Sequence, residues 1–270
     1  HLTRAMAEVL ELLGKAAQAD KSAAETIKQL ETDLKFRESL LGIVLKTDLP
    51  SDSRLFAAIV LKNSTRVFWT HRNASDAHKA KERSALLHAL QQEQDNRIAT
   101  QLGLLIVAIA EYDWPQSWPD LLPSLLKQAQ TNNVQLASRN VLALSETVKA
   151  VQPKLFTLNF VQGKLVKVDT AGPIRPAFAL CVTPMAQLWQ AYLTQALSQL
   201  QGMLDKLSGS ADQAQNQQAV ATVVPLLEIV GRCTPCLTQI IKEGVPDLSA
   251  NSDRSEERRV GKECRSRWAP

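Results

Sequence analysis

The chain has 270 residues, a formal net charge of +4, 45% hydrophobic and 21% charged residues, the composition of a packed globular protein rather than a disordered one. Aromatic residues make up only 5%, and ten Gly and twelve Pro are too few for a fibrous or low-complexity chain or for the many tight turns of an all-β barrel. The longest apolar run, residues 102–110, is about half the roughly 18 residues that a membrane span needs, so no membrane insertion is expected.

Ala, Leu, Gln and Lys dominate, and the apolar positions recur at helical spacing, so the fold class is all-α. Met6, Val9, Leu10, Leu12 and Leu13 define a helix over 3–17. Ser22 and Glu25 read as a capping box opening a second helix through Ile27 and Leu30. Phe36, Leu40, Leu41, Ile43, Val44 and Leu45 mark a third over about 35–46, ended by Leu49-Pro50. Ser51 or Asp52 caps a fourth, 53–69, and Ser75 a fifth, 76–92. The sixth, 96–112, is apolar nearly all round and so is expected to be buried. Asp113-Trp-Pro-Gln-Ser-Trp-Pro119 breaks it, and helices over 119–130 and 134–151 follow.

Residues 161–176 show no helical period, and Gly172-Pro173 and Arg175-Pro176 are helix breakers. An irregular insertion is therefore expected at 161–186. It reads either as a translated intron, since Gly163-Lys164 is what a splice donor would encode, or as an inter-helix loop. Helices resume near Met185 to Leu207 and from Val220 to Ile241, separated by a polar loop over 208–219. Residues 251–270 are expected to be disordered. Within them, 254–268 resemble the translation of a sequencing-adapter oligonucleotide, with a native basic tail as the alternative. That stretch holds six basic and three acidic residues, a net +3 of the total +4. The remainder is close to neutral, which does not support direct nucleic-acid binding. With its first residue His1 and no signal-peptide pattern behind it, the chain reads as a piece of a longer protein.

Three segments resemble one another: Leu55-Phe-Ala-Ala-Ile-Val-Leu-Lys-Asn63, Leu102-Gly-Leu-Leu-Ile-Val-Ala-Ile-Ala110 and Val141-Leu-Ala-Leu-Ser-Glu-Thr-Val-Lys149. One shorter amphipathic helix lies between each pair. A period of about 40–47 residues is the signature of stacked HEAT-type helix pairs, so a right-handed α-solenoid of four to five repeats is expected rather than a globular bundle.

The residues then carry a resemblance. Leu55 to Asn63 with Trp69 closing the helix resembles the second repeat of the importin-β N-terminal domain. Ile98-Ala-Thr-Gln101 with the Asp113-to-Pro119 turn resembles its third repeat. The resemblance covers residues 3–155; 156–250 are expected to add further helices. It implies a nuclear transport receptor that binds the GTP-bound form of the small GTPase Ran, protein cargo and nucleoporin phenylalanine-glycine repeats. It also implies shuttling between cytoplasm and nucleus through the nuclear envelope. Ran would lie along the inner helices of the first repeats, taken as 35–46, 77–92 and 119–130. Helix phase then makes Arg37, Glu38, Lys79, Arg83, Asp120 and Lys127 the candidate contacts. Lys79 and Arg83, four apart on one helix face, are expected to be exposed, so that reversing both to Glu leaves stability nearly unchanged.

Competing chemistry is sparse. The basic run Arg66, Arg72, Lys79, Lys81 and Arg83 lacks interleaved aromatics beyond Phe68 and Trp69, which are expected to pack between repeats. Cys233-Thr-Pro-Cys236 has neither a strand–turn–helix setting nor a second ligand pair, so two buried structural cysteines are expected. His71, His78 and His88 lack ligand spacing, and Asp113 reads as a turn residue. No phosphate loop or nucleophile elbow is present, so no enzyme activity, cofactor or metal is expected. The alternatives to a transport receptor are an α-solenoid scaffold without Ran binding and an all-α enzyme.

Overall fold

A computed structural model describes residues 3–70, 75–161, 164–170, 172–207 and 213–245. Among them the chain forms ten α-helices and one two-stranded hairpin. The helices are α1 (Arg4–Ala17), α2 (Lys21–Gln29), α3 (Leu34–Leu45), α4 (Ser51–Thr70), α5 (Asp76–Gln92), α6 (Asn96–Asp113), α7 (Leu121–Ala129), α8 (Val134–Val151), α9 (Ile174–Leu207) and α10 (Gln213–Gly244).

Short polar side chains set most of the helix starts, because the first N–H groups of a helix have no partner inside it. Asp33 accepts from the Phe36 N–H at 2.7 Å, Ser75 from His78 at 3.2 Å and Asn133 from Leu136 at 3.1 Å. The second helix starts earlier than a Ser22–Glu25 box requires. Ala19 takes a left-handed φ of 63° and reverses the chain directly after α1. Asp20 is thereby delivered to the cap, accepting from Ser22 and Ala23.

The helices pair as α1–α2, α3–α4, α5–α6, α7–α8 and α9–α10 and stack in chain order. In the second layer α4, α6, α8 and α10 pack backbone against backbone. Their shared faces supply the apolar core: Leu61, Leu102, Leu105, Ile106, Leu144 and Val148 are all buried. The first layer is looser. The backbones of α3 and α5 make few close contacts, and long polar side chains span the gap between them. This is the stacked helix-pair solenoid that the repeat period implied, with each pair burying its apolar face on the next.

The region after α8 differs from the expected irregular insertion. A 3-10 turn, Gln152–Leu155, leads into strands β1 (Phe156–Val161) and β2 (Lys164–Asp169), antiparallel with Phe156 opposite Asp169 and Val161 opposite Lys164. Helix α9 then begins at Ile174, eleven residues before Met185. Pro176 falls in its first turn, where a missing N–H removes no intrahelical bond. Ile174, Phe178, Cys181 and Met185 are buried, and the Phe178 ring centroid lies 5.2 Å from that of Trp114. The second half of the 161–186 segment is therefore part of the core. The adapter-like tail, His71, Arg72 and residues 251–270 lie outside the described residues.

Helices α9 and α10 form an antiparallel pair. Its seam uses spacings of three and four: Phe178, Cys181, Met185, Leu188 and Tyr192 on α9, and Val223, Leu226, Ile229, Cys233 and Cys236 on α10. A methyl group on Gly244 would meet the Ala179 backbone nitrogen at 2.8 Å, so only glycine fits where the end of α10 crosses the start of α9. Val220–Gly244 is long and apolar enough to cross a membrane by length and composition. Here it packs against α8 and α9 through Val223, Leu226, Ile229, Cys233 and Cys236, while Val220, Val224 and Leu227 remain exposed.

Cys181, Cys233 and Cys236 are buried and unpaired. Burial pushes the Cys181 thiol up to about 11 and those of Cys233 and Cys236 up to about 12. They stay protonated at physiological pH, and the thiolate is the reactive form. Iodoacetamide at pH 8 is therefore expected to leave all three unmodified in the native chain and to alkylate them in guanidinium, as read by peptide mass mapping.

Candidate functional site

The six candidate contacts fall on three helices of the first layer, and they do not share one environment. Arg37 is corrected outright. It is 2% exposed, so it lies in the core and offers no surface to a partner. Its Nη2 donates to Glu82 Oε1 at 2.6 Å and its Nε to Glu82 Oε2 at 2.9 Å, a bidentate pair from α3 to α5. Nη2 also donates to Thr65 Oγ1 at 3.2 Å. The guanidinium stands 4.6 Å from the Phe68 ring centroid and 5.2 Å from that of Trp69. A buried guanidinium needs this complete set of partners, because an unpaired charge there costs several kcal/mol, roughly 3–5 when one partner of a pair is removed.

Lys79 and Arg83 are also engaged rather than free. Lys79 Nζ donates to the Trp69 carbonyl at 3.1 Å, satisfying an acceptor in the last turn of α4. It also lies 5.4 Å from the Trp69 ring centroid. Arg83 Nη1 makes a short bond to Asp113 Oδ2, with the Arg83 side chain 12% exposed. Asp113 is buried and accepts from Trp69 Nε1 at 2.9 Å through its other oxygen. Its carbonyl accepts from the Ser117 and Trp118 N–H groups and so holds the Trp-Pro turn. Asp113 is thus both the turn residue that its sequence context suggests and the acceptor that joins α4, α5 and α6.

Glu38, Asp120 and Lys127 are exposed. Glu38 Oε1 lies 3.5 Å from His78 Nδ1. Asp120 sits at the N-cap of α7 without a side-chain cap bond, and Lys127 in the last turn of α7. The structure therefore gathers Arg37, Lys79 and Arg83 into one polar cluster around Phe68 and Trp69, and leaves the other three facing solvent. Phe68 and Trp69 pack between repeats, as their position implied.

A second buried pair was not foreseen. Arg54 on α4 donates to the Val44 carbonyl at the end of α3 and to both carboxylate oxygens of Glu93. Glu93 in turn accepts the N–H groups of Gln94 and Asp95 and fixes the turn into α6. Arg37–Glu82 and Arg54–Glu93 join the second helix pair to the third, whereas Arg83–Asp113 lies within the third pair and is tied to the second through the Trp69 indole. The contacts between the pairs, Arg37–Glu82, Arg54–Glu93 and Trp69–Asp113, have sequence separations of 45, 39 and 44, close to the repeat period. Polar residues one period apart are the signal that would have found them. Among the described residues no cluster of three or more His, Cys, Asp or Glu is placed to hold a metal ion.

An α-solenoid of HEAT-type helix pairs, tied at its second junction by buried ion pairs, is the class that this architecture defines. Residues 23–107 match the importin-beta N-terminal domain. Importin-11 of Mus musculus is 31% identical over 160 residues, covering 57% of this chain and 16% of importin-11. The importin alpha re-exporter of Saccharomyces cerevisiae is 29% identical over 159 residues, covering 56% of this chain and 16% of its own length. The chain thus spans about one sixth of these relatives. In fold it is similar to the exportin Cse1 in its cargo-free, cytoplasmic state, with a TM-score of 0.65, 16% identity and coverage of 91% of this chain and 25% of that one. Residues 23–107 are thus similar to the importin-beta N-terminal domain, and the fold is similar to that of the Cse1 solenoid.

The cluster changes the expectation for charge reversal. Lys79→Glu/Arg83→Glu places one carboxylate beside buried Asp113 and another beside the Trp69 carbonyl, and removes a ring contact and a helix-end bond. Urea denaturation is expected to show a loss of about 3 kcal/mol or more, where exposed charges would give almost none. Glu82→Gln, which leaves Arg37 buried without its counter-charge, is expected to cost about 3–5 kcal/mol.

Proposed function

We propose that the chain is the amino-terminal part of a nuclear transport receptor and acts by binding proteins rather than by catalysis. On this reading the parent receptor binds Ran-GTP, carries protein cargo, contacts nucleoporin phenylalanine-glycine repeats and shuttles between cytoplasm and nucleus. The observation that carries it is the match of residues 23–107 to the importin-beta N-terminal domain, supported by relatives named as an importin and an importin alpha re-exporter. A receptor that couples cargo affinity to the nucleotide on Ran must make different contacts in its loaded and unloaded states. Stacked repeats suit this task, because small rotations between pairs sum along the array.

With Arg37, Lys79 and Arg83 engaged inside the fold, the contacts proposed for Ran narrow to the exposed candidates Glu38, Asp120 and Lys127. Titration of the full-length receptor with Ran loaded with GTP or GDP tests both levels. A preference for Ran-GTP is expected, and its absence would remove the function. Glu38→Lys/Lys127→Glu is expected to weaken Ran-GTP binding about tenfold, more at low salt than at high, with an unchanged melting temperature. If Lys62→Glu/Arg66→Glu on α4 weakens binding instead, the contact surface belongs to the second layer and the first-layer assignment fails.

A further inference from the structure

Arg139 differs from the other buried or half-buried arginines of the repeat junctions. Arg37, Arg54 and Arg83 each meet a carboxylate. Arg139, on α8, is held only by neutral acceptors. Its Nη1 donates to the Glu93 carbonyl and its Nη2 to Asn96 Oδ1. Its Nε is buried and has no hydrogen-bond partner among the described residues. The nearest carboxylates are turned elsewhere: Glu93 to Arg54, and Asp95 to Arg97. Burial holds the Arg139 pKa below its ordinary value, outweighing the opposite pull of the Glu93 and Asp95 charges.

This cation lines a groove of about 430 Å3 across the second layer. Thr100 of α6, Gln135, Ser138 and Leu142 of α8 and Pro225 of α10 line it. The geometry is that of an acceptor for one side chain at a time. There is a fixed guanidinium with N–H groups to spare, a hydroxyl and an amide beside it, and apolar surface from Leu142 and Pro225 for a methylene stem. Each Nη uses one N–H internally and keeps a second, and the internal bonds hold the fork in place before any ligand arrives, which lowers the ordering cost of binding.

We propose that the α6–α8–α10 groove docks an acidic segment of a partner protein, with a Glu or Asp carboxylate seated on Arg139. A carboxylate supplies the directly bonded anion that Arg139 lacks, through charge-assisted hydrogen bonds. A nucleic acid fits less well. The groove offers one cation and no aromatic ring for base stacking, and the chain outside residues 254–268 is nearly neutral. This site stands apart from the residues assigned to Ran, and neither reading depends on the other.

The test uses the 270-residue chain and a fluorescein-labelled decaglutamate peptide, followed by anisotropy at two salt concentrations. An oligouridine RNA of equal charge serves as the comparison. The basic residues 254–268 add the same background to every variant. Arg139→Gln is expected to weaken decaglutamate binding about tenfold, and Arg139→Lys to retain most of it. Ser138→Glu, which leaves the bonds to Glu93 and Asn96 intact, is expected to match Arg139→Gln without change in the circular dichroism melt. Equal affinity for decaglutamate in wild type and Ser138→Glu would overturn the proposal. So would RNA binding that exceeds decaglutamate binding and falls in the same variants.

Discussion

A guanidinium with 2% of its surface exposed constrains everything around it. Arg37 is buried between two helix pairs, where losing its hydration is tolerable only against a carboxylate in good geometry. Glu82 has to sit opposite on α5, Thr65 has to turn its hydroxyl inward from α4, and Phe68 and Trp69 have to present their rings. Once Trp69 is fixed, its indole N–H selects Asp113, and Asp113 selects Arg83. One buried charge thereby sets the register of α3, α4, α5 and α6.

The two layers explain why charge is concentrated here. Second-layer helices approach closely through Ala, Leu, Ile and Val and add polar links such as Trp69–Asp113 and Arg139–Asn96. The first-layer helices α3, α5 and α7 stand further apart, and long side chains cross the gaps between them. Arg37–Glu82 crosses between α3 and α5, and Gln91–Gln128 between α5 and α7. An apolar array slides and twists at small cost, whereas a bidentate ion pair has one favoured geometry. The junction between the second and third pairs is therefore expected to be the stiff point of this part of the solenoid. Bending would then be concentrated at junctions bridged by amides or by apolar contacts.

Helix positions were legible because local rules determine them. Asp33, Ser75 and Asn133 mark their helix starts by the same short-range hydrogen bond, and apolar residues at spacings of three and four mark the buried faces. The repeat was legible as a period. What local rules do not determine was missed. The 156–169 hairpin depends on pairing two strands that are marginal by themselves. The start of α9 was hidden by Pro176, which reads as a breaker unless its place in the first turn is known. Arg37 and Arg83 looked like surface residues because charged side chains mostly are. Their partners lie 45 and 30 residues away, and helix phase carries no information about them. The misplaced site residues thus fall at the junction where polar tertiary contacts override pattern, and the misplaced elements fall between α8 and α9.

The central claim is that α3 to α6 behave as one cooperative unit because buried ion pairs join their two helix pairs. Native-state hydrogen exchange with mass spectrometry, across a series of low denaturant concentrations, measures this directly. The account expects the core amides of α3, α4, α5 and α6 to converge on a single opening free energy and a single denaturant dependence. Exchange of α3–α4 through an opening that leaves α5–α6 fully protected would contradict it.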